Sequence, residues 1–487
     1  MKVLLTGASG YIGRRLKGVL KNQKEIELRV FVRNKNSVSK DGLENIEIFE
    51  GDTFDKDALR KALDGVDTAY YLIHSLNKEN YKDLDKISAQ NFIDIATECG
   101  VKRVIYLGGL GVKNSNTSNH LLSRIETGEI LSSSKSVQTI WIRAGVIIGS
   151  GSASFEIIRN LVEKLPFLIT PKWVDTYAQP IAVEDVINYL FSSLYLLYDK
   201  NLIVDIGTKK MMYKEMMKET ALALGLKRYL IPVPFMSINI SSYWLNLFTP
   251  VPFTVAKALI EGLRSEVVMQ NENAKIYFPL IVPSSYIDAV KKSVHEIEQN
   301  QVISRWSDAE GSSWDKIHAK EINDAIFVDR KESNISAYDK EKIFMAVKSI
   351  GGENGWFDYD FLWEIRGIID KALGGVGLNR GRRDSCDLRL GECLDFWRVE
   401  DIQENERLLL FAQMKIPGHA WLEFKIEGDK FIQSAYFYPK GVWGRVYWYA
   451  LLPVHYFIFN NMMKSILKNS LEFNDKSKPR ASQAEYI

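Results

Sequence analysis

Glycines at 7, 10 and 13 follow directly on an apolar run in LLTGASGYIGRRL, residues 4–16, and no other feature limits the fold of this chain as much. Residues 2–6, KVLLT, have the composition of a short buried strand. Tyr11, Ile12, Leu16 and Val19–Leu20 then recur near helical spacing, so the glycines fall in a strand-to-helix turn. Gly7 permits the tight turn, and Gly10 lets the backbone approach a pyrophosphate. Gly13 lets the helix pack close against the strand while its first N–H groups face the anion. Thr6, Gly7, Ser9, Gly10, Tyr11, Ile12 and Gly13 are therefore the expected phosphate cradle of a dinucleotide.

A second apolar run, LRVFVR, ends at Arg33, twenty residues after Gly13. In an NAD site an acidic residue at about that distance accepts the ribose 2′-hydroxyl. A guanidinium pairs instead with a 2′-phosphate. Arg33, followed by Asn34 and Lys35, makes NADPH the expected cofactor in preference to NADH, and Arg14 is placed to add a second positive charge. The other reading of Arg33 is a solvated strand end.

Strands and helices then alternate. NIEIFEGD ends at Asp52, DKDALRKAL follows as a helix, and TAYYLIHS ends at Ser75. A long helix over about 81–99, the strand RVIYLGGLG, a helix over about 120–133 and VQTIWIRAGVIIG complete the series. The pattern predicts an α/β fold, a Rossmann doubly wound parallel sheet with its ligand along the carboxyl ends of the strands. Residues 150–300 read as a small substrate region. Within it the proline- and aromatic-rich stretch 229–263 has Trp244, Phe248 and Phe253 as the lining of an apolar pocket or as plain core, which favours an apolar acceptor. Asp185 reads as a carboxylate at a helix start.

TGASGYIG, the EGD after the third strand and AQPIAVEDV at 178–186 resemble the short-chain dehydrogenases/reductases of the extended or atypical kind. The likeness runs from residue 1 to about 300 and is closest to the NmrA-like group of predicted nucleoside-diphosphate-sugar epimerases. It implies that Asp52, with Thr53 beside it, hydrogen-bonds the adenine, and that Leu72, Ile73 and His74 pass beside the nicotinamide half. Active members of the family use a Ser or Thr after the fifth strand and Tyr-x-x-x-Lys on the next helix. Here Gly108–Gly109 and His120-Leu-Leu-Ser-Arg124 stand in those places, so the usual pair is absent. His120, which titrates near neutral pH, is the candidate proton donor. Arg124, which stays protonated, is the candidate group for a ribose or phosphate. In the alternative reading His120 only starts the helix and Arg124 pairs with Glu126 or Glu129. Tyr106 and Tyr177 are further candidate acids or packing residues.

Residues 301–325 read as a connector, and 326–468 as a C-terminal α+β domain with strand-like runs at 387–399, 407–416, 419–427 and 430–438. GLNRGRRD, PGHAWLEF and FYPKGVWGRVYWYALLPVH resemble a C-terminal domain of uncharacterised function attached to NmrA-like proteins, with a relation to helix-grip folds. Arg380, Arg382 and Arg383 form either an acidic-group site or a solvated turn, and His419 beside Trp421 reads as a core histidine. Val446–Met463 carries no formal charge, yet Pro453, His455 and Asn460–Asn461 are costly in hydrocarbon. The expected role of 442–467 is the closing helix of the domain, with peripheral membrane contact as the alternative. Residues 469–487 read as a disordered tail.

The totals set outer limits. A net charge of +2 gives no reason to expect a nucleic-acid partner. Three cysteines without ligand spacing imply neither a metal site nor a disulfide framework, and the strand pattern beginning at residue 2 implies a cytoplasmic chain without a signal segment. The function expected is an atypical reductase passing hydride from NADPH to an apolar carbonyl, quinone or flavin-like acceptor. The alternatives are a non-catalytic NADPH sensor or assembly protein and, third, a sugar-nucleotide epimerase.

Overall fold

The computed structural model describes residues 1–35, 46–74, 81–113, 117–233, 265–299, 302–304, 327–356, 360–380, 382–384, 387–439 and 441–472, with a few positions between 245 and 262. The chain divides into two compact units, Met1–Gly311 and Ser312–Ile487.

In the first unit the apolar runs form β1 (Lys2–Thr6), β2 (Glu27–Val32), β3 (Ile46–Glu50), β4 (Thr68–Tyr71), β5 (Arg103–Gly109), β6 (Gln138–Ala144) and β7 (Leu202–Ile206). They pair in parallel in the order β7-β6-β5-β4-β1-β2-β3. The main helices between and after them are α1 (Tyr11–Leu20), α2 (Lys56–Leu63), α3 (Tyr81–Glu98), α4 (Asn119–Leu131), α5 (Ala153–Lys164), α6 (Val183–Ser192), α7 (Tyr213–Ala223) and α8 (Tyr286–Glu298). Strands buried on both faces need helices on both. Leu16 and Leu20 of α1 and Val186 and Leu190 of α6 share a cluster with Val3, Leu5 and Val30. Leu59 of α2, Phe92 and Ile93 of α3 and Ile125 of α4 share another with Leu4, Ala69 and Tyr106. Each such fully buried Leu, Ile or Phe contributes about 1.5–3 kcal/mol. The chain leaves β1 toward β2 and β3, then returns to build outward from β4, so the strand order reverses between β1 and β4. A ligand crevice opens at such a reversal.

Asp205, at the carboxyl end of β7, is fully buried. It accepts from Arg143 at 2.6 and 2.9 Å and from the Gln270 N–H at 2.6 Å, which ties the sheet edge to the following segment. Asp205→Ala strands the half-buried Arg143 guanidinium, and urea unfolding should register a loss of about 3 kcal/mol.

The second unit holds an antiparallel sheet of β8 (Phe327–Asn334), β9 (Cys393–Leu394), β10 (Trp397–Gln403), β11 (Arg407–Ala412), β12 (Gly418–Glu427) and β13 (Lys430–Pro439), in the order β8-β13-β12-β11-β10-β9. Helices α9 (Lys340–Lys348) and α10 (Asp360–Ala372) precede β9, and α11 (Gly441–Glu472) closes the domain. This is the α+β arrangement expected. Leu408, Leu422 and Phe424 of the sheet pack against Ile343 and Phe344 of α9 and Ile458, Met462 and Ile466 of α11. The first half of α11 instead exposes Trp443, Val446, Tyr449 and Tyr456. No helix among the described residues is long and apolar enough to cross a membrane. Residues beyond 472 lie outside the described ones.

The arginine turn proves to be structural at two of its three positions. Arg383 is buried against Glu392 at 2.5 Å and Asp387 at 2.9 Å. Arg382 donates to the carbonyls of Ile350 at 2.6 Å and Lys348 at 2.8 Å. Buried guanidiniums need partners, and folding supplies them: Asp387 and Glu392 for Arg383 and the carbonyls of Lys348 and Ile350 for Arg382.

Candidate functional site

The crevice at the strand reversal is built by Thr6, the glycine turn and the end of β4. Thr6 Oγ1 donates to the Tyr70 carbonyl at 2.8 Å and accepts from the Leu72 N–H at 3.3 Å, which clips β1 to β4. Gly7 turns with φ +69°, and a Cβ there would stand 2.5 Å from the Leu72 carbonyl oxygen. A Cβ on Gly13 would stand 2.1 Å from the Gly7 carbonyl oxygen. Both glycines are thus required by close backbone approach, as the sequence predicts. Leu72 and Ile73 are half-buried where the chain leaves β4.

Helix α1 starts at Gly10, which offers no side-chain cap, and no acidic residue stands in its first turn. Asp55, Ser118 and Ser152 do cap the starts of α2, α4 and α5. The first N–H groups of α1 are left for an outside acceptor, with the positive end of the helix dipole behind them. Arg14 strengthens that field. Its Nε donates to the Ser9 carbonyl at 2.7 Å, and its Nη2 is buried without a hydrogen-bond partner among the described residues. A buried cation with an unmet donor beside an uncapped helix start fits an anion such as a pyrophosphate. Ile12 packs into the core under the turn. Tyr11 turns inward: its buried hydroxyl, which has no partner among the described residues, would meet a Cβ on Gly149 at 2.5 Å, and its ring lies 5.2 Å from the Arg15 guanidinium. Burial raises that phenol far above its ordinary value, so Tyr11 brings backbone to the cradle and not a proton.

Arg33 is exposed, one residue past β2. Asp52 lies two residues past β3, where it accepts from the Phe54 N–H at 3.2 Å and the Thr53 hydroxyl at 3.3 Å. Thr53 is buried, and its hydroxyl accepts from Ser88 at 2.7 Å, so it orients Asp52.

The candidate catalytic residues separate. Arg124 donates to the Leu107 carbonyl and lies 5.5 Å from the Tyr106 ring centroid, which commits part of its fork to β5. Tyr106 is fully buried and donates to the Arg124 carbonyl at 2.9 Å. Gly108 and Gly109 leave no room for a side chain at these positions: a Cβ would meet Trp141 Nε1 at 2.3 Å and Leu121 Cδ1 at 2.8 Å. His120, in the first turn of α4, meets His74 instead. His120 Nδ1 lies 3.2 Å from His74 Nε2, and His74 Nδ1 lies 2.9 Å from Asp85 Oδ2. Ser123 donates to the same Asp85 oxygen at 3.0 Å. Burial lowers both imidazoles below their ordinary range, and each is lowered further by Arg124. Asp85 did not emerge from the sequence, although an acid on the stripe of Ala89, Phe92 and Ala96 signals a buried partner.

Asp185, buried in the first turn of α6, accepts from the Ser284 N–H at 2.7 Å and so anchors the chain ahead of α8. Trp244, Phe248 and Phe253 lie outside the described residues. Among the described residues no cluster has a metal's ligand set.

Residues 7–144 match the sequence model of a family described as NAD(P)H-binding. The first unit carries an NAD(P)H-binding domain. Residues 322–462 match a second family, Protein of unknown function (DUF2867). The sterol demethylase protein B of Methylococcus capsulatus is 30% identical over 128 residues, which are 24% of this chain and 38% of that protein. An uncharacterised chloroplastic protein of Arabidopsis thaliana is 27% identical over 237 residues, 43% of this chain and 70% of that protein. Among solved structures, a nucleoside-diphosphate-sugar epimerase of Staphylococcus aureus aligns with a TM-score of 0.50 at 17% identity, covering 60% of this chain and all of that one. The triphenylmethane reductase of Citrobacter aligns with a TM-score of 0.51 at 17% identity, covering 61% and 100%. These two likenesses are likenesses of fold.

Proposed function

We propose that the first unit is an NADPH-dependent reductase acting on an apolar carbonyl, quinone or flavin-like acceptor. The observation that carries the reading is the buried, unmet Arg14 donor beside the uncapped start of α1. Arg33 at the end of β2 supports the phosphorylated dinucleotide, because a guanidinium there pairs with a 2′-phosphate. The reduced nicotinamide, when bound, supplies a hydride. The protein then has to hold two reactants in register and manage a proton. Thr6 and the glycine turn fix the crevice, Asp52 and Thr53 hold the adenine end, and Leu72, Ile73 and His74 border the reacting end. The reductase name of the Citrobacter neighbour agrees with this reading.

The absence of Tyr-x-x-x-Lys favours a second reading, a protein that binds NADPH and reports its level without turnover. Acceptor-dependent oxidation separates the two. NADPH is followed by absorbance with a soluble quinone and with an apolar aldehyde. The reductase reading expects oxidation that saturates with acceptor. Saturable NADPH binding with a flat trace for every acceptor supports the sensor. An epimerase, the third reading, would act on a sugar nucleotide without net oxidation.

A further inference from the structure

We propose that Asp85, His74 and His120 form a proton relay that supplies the proton taken up by the acceptor's oxygen, with His120 delivering it and His74 and Asp85 as positioning residues. The inference rests on the reductase reading above.

The geometry is a continuous hydrogen-bonded line. It runs from Asp85, whose side chain is 5% exposed, through His74, at 20%, to His120 at the start of α4. Both ring nitrogens of His74 are used within the line, and one nitrogen of His120, Nε2, stands beyond it. The line lies where the chain leaves β4 and enters α4, on the same carboxyl edge of the sheet as the glycine turn. This is also the place where the family carries its tyrosine, and the space for a side chain at Gly108 or Gly109 is filled by Trp141 and Leu121.

One extra proton can be stored and released along this line. In the loaded state His74 is protonated on both nitrogens, with Nδ1–H donating to the Asp85 carboxylate and Nε2–H donating to His120 Nδ1. His120 then carries its own proton on Nε2. On delivery the His120 Nε2–H bond breaks as the acceptor's O–H bond forms, and the His74 Nε2 proton passes to His120 Nδ1. Both rings end neutral, Asp85 remains ionised, and solvent reloads the pair. The two electrons arrive with the hydride, so the relay moves protons only.

The groups facing the pair set its working range. From α3 this is Asp85, held in turn by Ser123 of α4, and from α4 it is Arg124. Desolvation is the largest influence on both rings, Arg124 disfavours the extra proton and Asp85 favours it. The loaded state therefore grows as pH falls below the ordinary imidazole value of about 6.5. Two rings this close titrate as a pair.

The test has two readouts. In dinucleotide-free protein, imidazole nitrogen shifts of His74 and His120 are followed by NMR against pH. The relay predicts coupled titration with both apparent values below about 6.5, moved lower in Asp85→Asn. In turnover with NADPH and a quinone, kcat should rise as pH falls, and the rise should move to lower pH in Asp85→Asn. His120→Gln should lower kcat about 100-fold or more while leaving the dinucleotide Kd near wild type. Should Asp85→Asn not fold, the wild-type shifts and the near-isosteric His120→Gln still decide. Independent titration of the rings, with a kcat profile unmoved by either variant, overturns the relay and leaves the reductase standing. Coupled rings with no turnover on any acceptor overturn the reductase reading, and the relay's role with it.

Discussion

Gly13→Ala should abolish tight dinucleotide binding and weaken the first unit. The added Cβ would sit 2.1 Å from the Gly7 carbonyl oxygen and 2.9 Å from the Ala8 Cα. Both are backbone atoms, so no side chain can swing aside. Helix α1 must move away from the turn, and its first N–H groups move with it. Overpacking of this kind costs about 1–3 kcal/mol of stability. Hydrogen bonds to a charged group contribute about 1.5–3 kcal/mol each, so misplacing even one raises Kd roughly 10- to 100-fold. Gly18→Ala is the internal control. A Cβ at Gly18, in the same helix, meets nothing within 4 Å. That variant should bind normally and gain about 0.5–1 kcal/mol from helix propensity. Titration and urea unfolding of the two variants side by side give the comparison. Wild-type affinity in Gly13→Ala would mean that the turn does not hold the ligand.

The second large effect concerns which dinucleotide binds. Arg33→Ala should weaken NADPH about tenfold or more and leave NADH within about twofold. The residue is exposed, which places the effect at the lower end of the range for charge-assisted bonds. Salt should shrink the difference, because exposed charges are screened over about 10 Å at 0.1 M. An equal loss for both dinucleotides would mean that Arg33 supports the strand end and does not read the 2′-phosphate.

Much of the first unit was legible because its signals are local. A strand, a glycine turn and a helix occupy nineteen consecutive residues, and the parallel sheet follows from the alternation of strands with helices. The closing strands β11 to β13 were legible for the same reason, since each is an apolar or alternating run ended by a short polar turn. Strand β8, FVDRKESN, was not: six of its eight residues are polar, and only backbone pairing with β13 identifies it. The candidate catalytic group was half legible. His120 stands out by its place on the helix, but its partners do not. His74 reaches it from the end of β4, 46 residues away in sequence, and Asp85 reaches His74 from α3. Such a line exists only after the sheet has set β4 beside β5. Arg383 carries the same lesson in the second unit. Its charge suggested an open anion site, whereas folding supplied Glu392 from nine residues away as a buried counter-charge.

We propose the crevice between β1 and β4 as the site for NADPH. Calorimetric titration of the wild-type chain with NADPH and then with NADH, at low ionic strength, tests it most directly. One saturable site per chain is expected, with NADPH the tighter ligand. Heat that does not saturate with either dinucleotide would contradict it.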